Sequence, residues 1–104
     1  MEKKTKTLHI VLKKQWWDMI ESGIKKEEYL TICDYWIGRL TLGKFRGNGC
    51  LDTYKPFTDV CFHLGNTNIT MKFEITCITQ GLGVKEWGGG NVRVFIISLG
   101  KRLE

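Results

Sequence analysis

Hydrophobic and polar positions change period several times along the 104 residues, and each change marks an element. Leu8, Ile10 and Leu12 alternate with His9, Val11 and Lys13, which predicts a strand over residues 5–13. Trp16, Ile20 and Gly23 then recur at helical spacing, with Met19 beside them and Asp18 and Glu21 outside. That predicts a short helix stopping at Ser22-Gly23, where glycine suits the residue after the cap. Residues 26–32 read as extended. Over residues 33–42, Trp36, Ile37 and Leu40 fall at helical intervals, and Asp34 is the expected cap. Gly43, Gly47, Asn48 and Gly49 place an irregular loop over residues 43–56.

The second half is strand-rich. Residues 58–64 form a strand pattern and Gly65-Asn66-Thr67-Asn68 a hairpin turn. Ile69, Met71, Phe73, Ile75 and Cys77 then alternate with polar residues as one long half-buried strand. A glycine-rich loop covers residues 81–90. Residues 92–99 are apolar on both faces, as in a central or barrel-closing strand. Short strands with one or two small helices predict a mainly β (α+β) fold, a small β-barrel, as one domain over residues 1–104.

Composition narrows the setting. No apolar run reaches the length of a membrane span, and the basic start lacks a signal-like apolar stretch, so a cytoplasmic protein, monomeric and without a membrane partner, is expected. Net charge is +5, distributed as +4, −3, +3 and +1 over residues 1–14, 15–37, 38–57 and 58–104. Any basic surface must therefore be assembled by folding. Cys33, Cys50, Cys61 and Cys77 form no CxxC pair, and His9 and His63 have no metal-ligand spacing to them. Reduced, mostly buried thiols are expected, with no metal and no cofactor; a zinc site would have to be assembled by the fold.

The densest charge pattern is Gly23-Ile24-Lys25-Lys26-Glu27-Glu28-Tyr29-Leu30. At the mouth of a small barrel, Lys25 can pair with phosphate or carbonyl oxygen, and Glu28 can accept base amino groups or move protons. On composition alone, the segment reads rather as a solvated, charged edge strand that resists aggregation. Trp16 and Trp36 sit at core spacing, whereas Trp17 points elsewhere on its helix. Trp87, among Gly81, Gly83, Gly88, Gly89 and Gly90, suits either base stacking or anchoring of the loop. The loop lacks the ending and context of a P-loop, His63 reads as structural, and no nucleophile–base signature is present.

Strand, Leu12-Lys13, a helix with Trp16, and Ser22-Gly23-x-Lys25-x-x-Glu28 together resemble the ASCH signature GxKxxExR, with Leu30 at the arginine position. The likeness extends over residues 8–100, through the Glu74 strand and Leu99-Gly100. Tyr35-Trp36-Ile37-x-Arg39-Leu40 and Glu86-Trp87-Gly88 look like features of a bacterial or phage subgroup. The resemblance implies a PUA-like barrel with a ligand cleft beside the motif, and RNA or a modified nucleoside as partner. Some relatives hydrolyse amides of modified cytidine with a Thr nucleophile, at whose position this chain carries Glu28; others are proposed ribonucleases.

Three readings stay open. The first is an RNA- or nucleoside-binding module using Lys25 and Glu28, with Lys13, Lys14, Arg39 and Trp87 in support and Arg93 as an alternative cation. The second is a small hydrolase in which Lys25 works with Glu28 or Glu74. The third is a protein-interaction module that has lost the site. Lys25 is expected at an exposed position, and Leu30 is expected to line the pocket as an apolar wall that favours a flat, neutral ligand.

Overall fold

Leu8, Ile10 and Leu12 do point to one side. In the computed structural model, which describes residues 5–41 and 54–104, they are buried in β1 (Thr7–Leu12) while the residues between them face outward. The chain continues through α1 (Lys14–Glu21), β2 (Glu27–Thr31), α2 (Asp34–Leu40), β3 (Asp59–Leu64), β4 (Thr70–Gly81), a 3-10 turn (Lys85–Trp87) and β5 (Val94–Arg102). The strands make one curled five-stranded sheet, a half-barrel in the order β1-β3-β4-β5-β2. This is the mainly β architecture that the periodicity implies, with two helices where one or two were expected.

β1 and β3 pair in parallel and the other neighbours are antiparallel. A parallel pair needs a long crossover; here it contains both helices and β2, which is carried round to the far edge. β1 and β2 are thus the two edges of the curled sheet. Phe62 and Met71, and Phe95 and Ile97 of the interior strand β5, fill the concave side. Trp17, Ile20 and Leu40 of the helices cover it.

Several expectations are corrected. β4 keeps Met71 and Phe73 inward, but register shifts between Phe73 and Cys77 reverse its faces. Cys77 is therefore exposed, and Ile78 packs against the core instead. Ile69 precedes the strand and is exposed. Cys33, not Asp34, precedes α2, and Asp34 begins its first turn. None of Cys33, Cys61 and Cys77 is buried. The loop expected over residues 43–56, including Gly43, Gly47, Asn48 and Gly49, lies outside the described residues up to residue 53, as does Cys50. No helix among the described residues is long and apolar enough to cross a membrane.

Candidate functional site

The end of α1 creates the centre of the site. Ser22 N–H donates to the Asp18 carbonyl, Gly23 N–H to that of Ile20, and Gly23 takes φ 86°, a left-handed turn that glycine adopts without strain. Lys25 N–H then donates to the Met19 carbonyl at 3.0 Å, folding the chain back against the helix. Lys25 consequently precedes β2. Strand parity, which would place it on the opposite face from Glu28, does not apply.

Lys25 Nζ lies 2.6 Å from Glu28 Oε1, with the two side chains 1% and 8% exposed. The expected exposed lysine on a solvated edge strand is corrected to a buried ion pair. The ammonium also stands 4.2 Å from the centre of the Trp16 ring and 5.5 Å from that of Tyr29. Cation–π attraction strengthens when the cation is stripped of water, so these rings offset part of the desolvation cost. Tyr29 N–H donates to the same Glu28 oxygen at 3.1 Å. Among the described residues, both hydrogen bonds of the Glu28 side chain fall on Oε1, and Oε2 is the oxygen that could accept from a ligand.

The glycine loop forms one wall. Gly83, at φ 73°, rests against the Tyr29 ring so closely that a Cβ would come within 2.8 Å of it, and a Cβ on Gly88 would come within 3.2 Å of the Trp16 indole. Val84 N–H donates to Tyr29 Oη at 2.7 Å, and that hydroxyl donates to Glu27 Oε1 at 2.7 Å. Burial, with the Glu27 carboxylate adding to it and the Val84 N–H opposing it, pushes the Tyr29 phenol up to about 12. Tyr29 is therefore a neutral bracket between strand and loop.

These elements enclose a cleft of about 250 Å³ between the two sheet edges, lined by Lys13, Trp16, Lys25, Glu28, Tyr29 and Trp87 among others. Val11, Glu28 and Tyr29 also line an adjacent hollow of about 400 Å³, reaching His9, Tyr35 and Trp36. Tyr35 in turn borders a third hollow of about 340 Å³ with Lys6, Arg39 and Lys55 on its walls. A groove thus follows β1 from an aromatic end to a basic end, over roughly 20 Å at the rise of a six-residue strand.

Not every predicted residue belongs to the cleft. Lys13, Lys25, Glu28 and Trp87 do. Arg39 lies at the basic end, and Lys14 is exposed on α1, paired with Asp18 at 3.0 Å. Glu74 lines a separate hollow with Asp59 and Thr76, and Arg93 does not line the cleft. Leu30 lines the middle hollow beside Glu28, as expected, but at 6% exposure it belongs mainly to the core and offers little open wall. The tryptophans exchange roles: Trp17 is the buried one, and Trp16 is half-buried and lines the cleft. Tyr29, Lys6 and Lys55 were not foreseen; the one available signal was an aromatic set amid the charges of residues 25–28.

On the outward face of the β1–β3 pair, where His9 also lines the middle hollow, His9, Cys61 and His63 offer ligand atoms that all lie within 4.8 Å of one another. Comparison with known proteins adds no identification: no family model, curated protein or solved structure matches this chain.

Proposed function

We propose that the protein is a nucleobase-binding module. It takes a base of single-stranded RNA in the cleft between β1 and β2 and the attached phosphates along the groove towards Lys6, Arg39 and Lys55. The observation that carries the reading is the Lys25–Glu28 pair buried beneath Trp16 and bordering the cleft. A buried ion pair adds little net stability compared with apolar packing. Bordering an aromatic-walled cleft, the same pair offers what a base edge needs: an ammonium donor for a ring nitrogen or carbonyl, and a carboxylate acceptor for an amino group. Trp87 and Tyr29 supply faces for stacking, worth about 1–3 kcal/mol per base. The match of Gly23, Lys25 and Glu28 to the ASCH motif supports the same reading.

The test is a titration of tryptophan fluorescence with short single-stranded RNAs and with free nucleosides, including N4-acylated cytidine, at several salt concentrations. With three basic side chains at one end, RNA affinity is expected to fall with salt at a log–log slope near −2, about −0.7 per phosphate contacted. Trp87→Ala is expected to weaken binding about 5- to 150-fold, matching the stacking energy above. Salt-independent binding of nucleosides alone would restrict the ligand to the cleft. Binding of neither would refute the proposal.

A further inference from the structure

The outer face of the β1–β3 pair carries a second cluster, on the side of these strands turned away from the core. Leu8, Ile10, Val60 and Phe62 are buried, so the alternate residues His9, Cys61 and His63 face outward together. The parallel register sets His9 directly beside Cys61 and Val11 beside His63, which makes His63 the diagonal neighbour of His9. Cys61 and His63 share a face because they lie two residues apart in β3, and the ladder brings His9 to them from more than fifty positions away.

We infer that His9, Cys61 and His63 form a binding site for a divalent transition-metal ion of the zinc class. His9 Nδ1 and His63 Nε2 stand 3.0 Å apart, with the ring centres at 5.2 Å and the planes inclined by 43°. Around a tetrahedral zinc with bonds of about 2.0–2.1 Å to nitrogen and 2.3 Å to sulfur, ligand atoms lie roughly 3.3–3.6 Å apart. The observed cluster, with all three atoms within 4.8 Å of one another, is close to that spacing. Its ligands project from paired strands, which hold their Cα atoms in place.

The donor set selects the ion. Two imidazoles and a thiolate favour zinc-class metals, whereas calcium and magnesium require oxygen ligands. Three protein ligands leave a fourth position for water or an exogenous group. On binding, the metal replaces the hydrogen bond between the rings. The proton of the donating nitrogen passes to that ring's other nitrogen, and the Cys61 thiol proton leaves to solvent. Lys72 stands opposite Cys61 in the β3–β4 ladder, and its charge is met by Asp59 at 4.0 Å and Glu104 at 3.6 Å. His9 also lines the middle hollow of the groove, but the metal site does not rest on the nucleobase reading and survives if that reading fails.

The experiment is a titration of the metal-free, reduced protein with Co2+ and then Zn2+. One equivalent of Co2+ is expected to produce a thiolate-to-cobalt charge-transfer band and tetrahedral d–d bands, which Zn2+ abolishes. Cys61→Ser should remove the charge-transfer band, while Cys33→Ser and Cys77→Ser should keep it. His9→Ala and His63→Ala should each weaken Zn2+ binding by about a hundredfold or more, at least the loss seen when a supporting group of a metal ligand is removed. Mass spectrometry of the wild type after thiol alkylation gives a second readout that needs no variant: Zn2+ should protect Cys61 selectively. A missing charge-transfer band, a band that persists in Cys61→Ser, or equal alkylation of Cys61 with and without Zn2+ would each overturn the inference.

Discussion

Lys25 and Glu28 meet at 2.6 Å although one precedes β2 and the other lies within it, and both are almost wholly removed from water. Removing either charge alone leaves its partner buried without compensation. Lys25→Met and Glu28→Leu should therefore each destabilise the fold by about 3–5 kcal/mol. The double substitution should recover much of that loss, because apolar groups of similar size can replace a buried pair. Urea unfolding of the four proteins measures the coupling; single losses below about 1 kcal/mol would mean that water reaches the pair in solution.

Gly83 is held both by its φ of 73° and by the Tyr29 ring against it. Gly83→Ala should cost about 1–3 kcal/mol, combining left-handed strain with the clash at the ring. Since the loop forms a wall of the cleft, ligand affinity should fall as well. Gly90, with nothing within 4 Å of a built Cβ and no positive φ, is the control: Gly90→Ala should leave both nearly unchanged. Equal effects at the two positions would show that the Tyr29 contact is not what constrains the loop.

The phenol of Tyr29 titrates at about 12 in the folded protein against 10.0 for the free side chain. The folded state therefore holds this proton more tightly than the unfolded chain. The stabilisation is fully present below about pH 10 and is lost as pH rises towards 12. Thermal unfolding at pH 8, 10 and 11.5 should show a falling midpoint across that window, and Tyr29→Phe should lessen the fall. Tyr54, whose phenol is also raised by burial, accounts for a remainder. An unchanged slope in Tyr29→Phe would place the whole effect elsewhere.

Leu30 pairs with Phe95 across β2 and β5 and lies in the core. Restoring the arginine of the ASCH-like motif should therefore destabilise the protein, by about 3–5 kcal/mol for an unpaired buried charge, rather than improve phosphate binding. Chemical denaturation of Leu30→Arg decides this. A variant as stable as the wild type, with tighter binding of phosphorylated ligands, would show that the guanidinium reaches the groove.

Elements whose faces differ strongly in polarity were legible from the chain. The alternation of Leu8, Ile10 and Leu12, the Gly23 stop of α1 and the turn at Gly65 all appear where the pattern puts them. The pattern misled where the backbone departs from strict period. The register shifts in β4 reverse which side Cys77 and Ile78 face, and a period-two rule cannot anticipate an extra residue. Trp16 and Trp17 are adjacent on one helix, and which of them is buried depends on how α1 is rotated against the sheet.

The sequence by itself determined a mainly β chain with one or two short helices, its core strands and a charged motif at Lys25 and Glu28. Those features depend on local periodicity and on turn residues, which act between near neighbours. Only the tertiary structure decided that the motif is buried, that Trp16, Tyr29 and Trp87 surround it, and that His9 meets Cys61 and His63. Each of these depends on which strands pair, in what register, and how far the sheet curls. The juxtapositions of Trp87 with the motif and of His9 with Cys61 and His63 join residues tens of positions apart, and their energy comes from burial and pairing that no local segment contains.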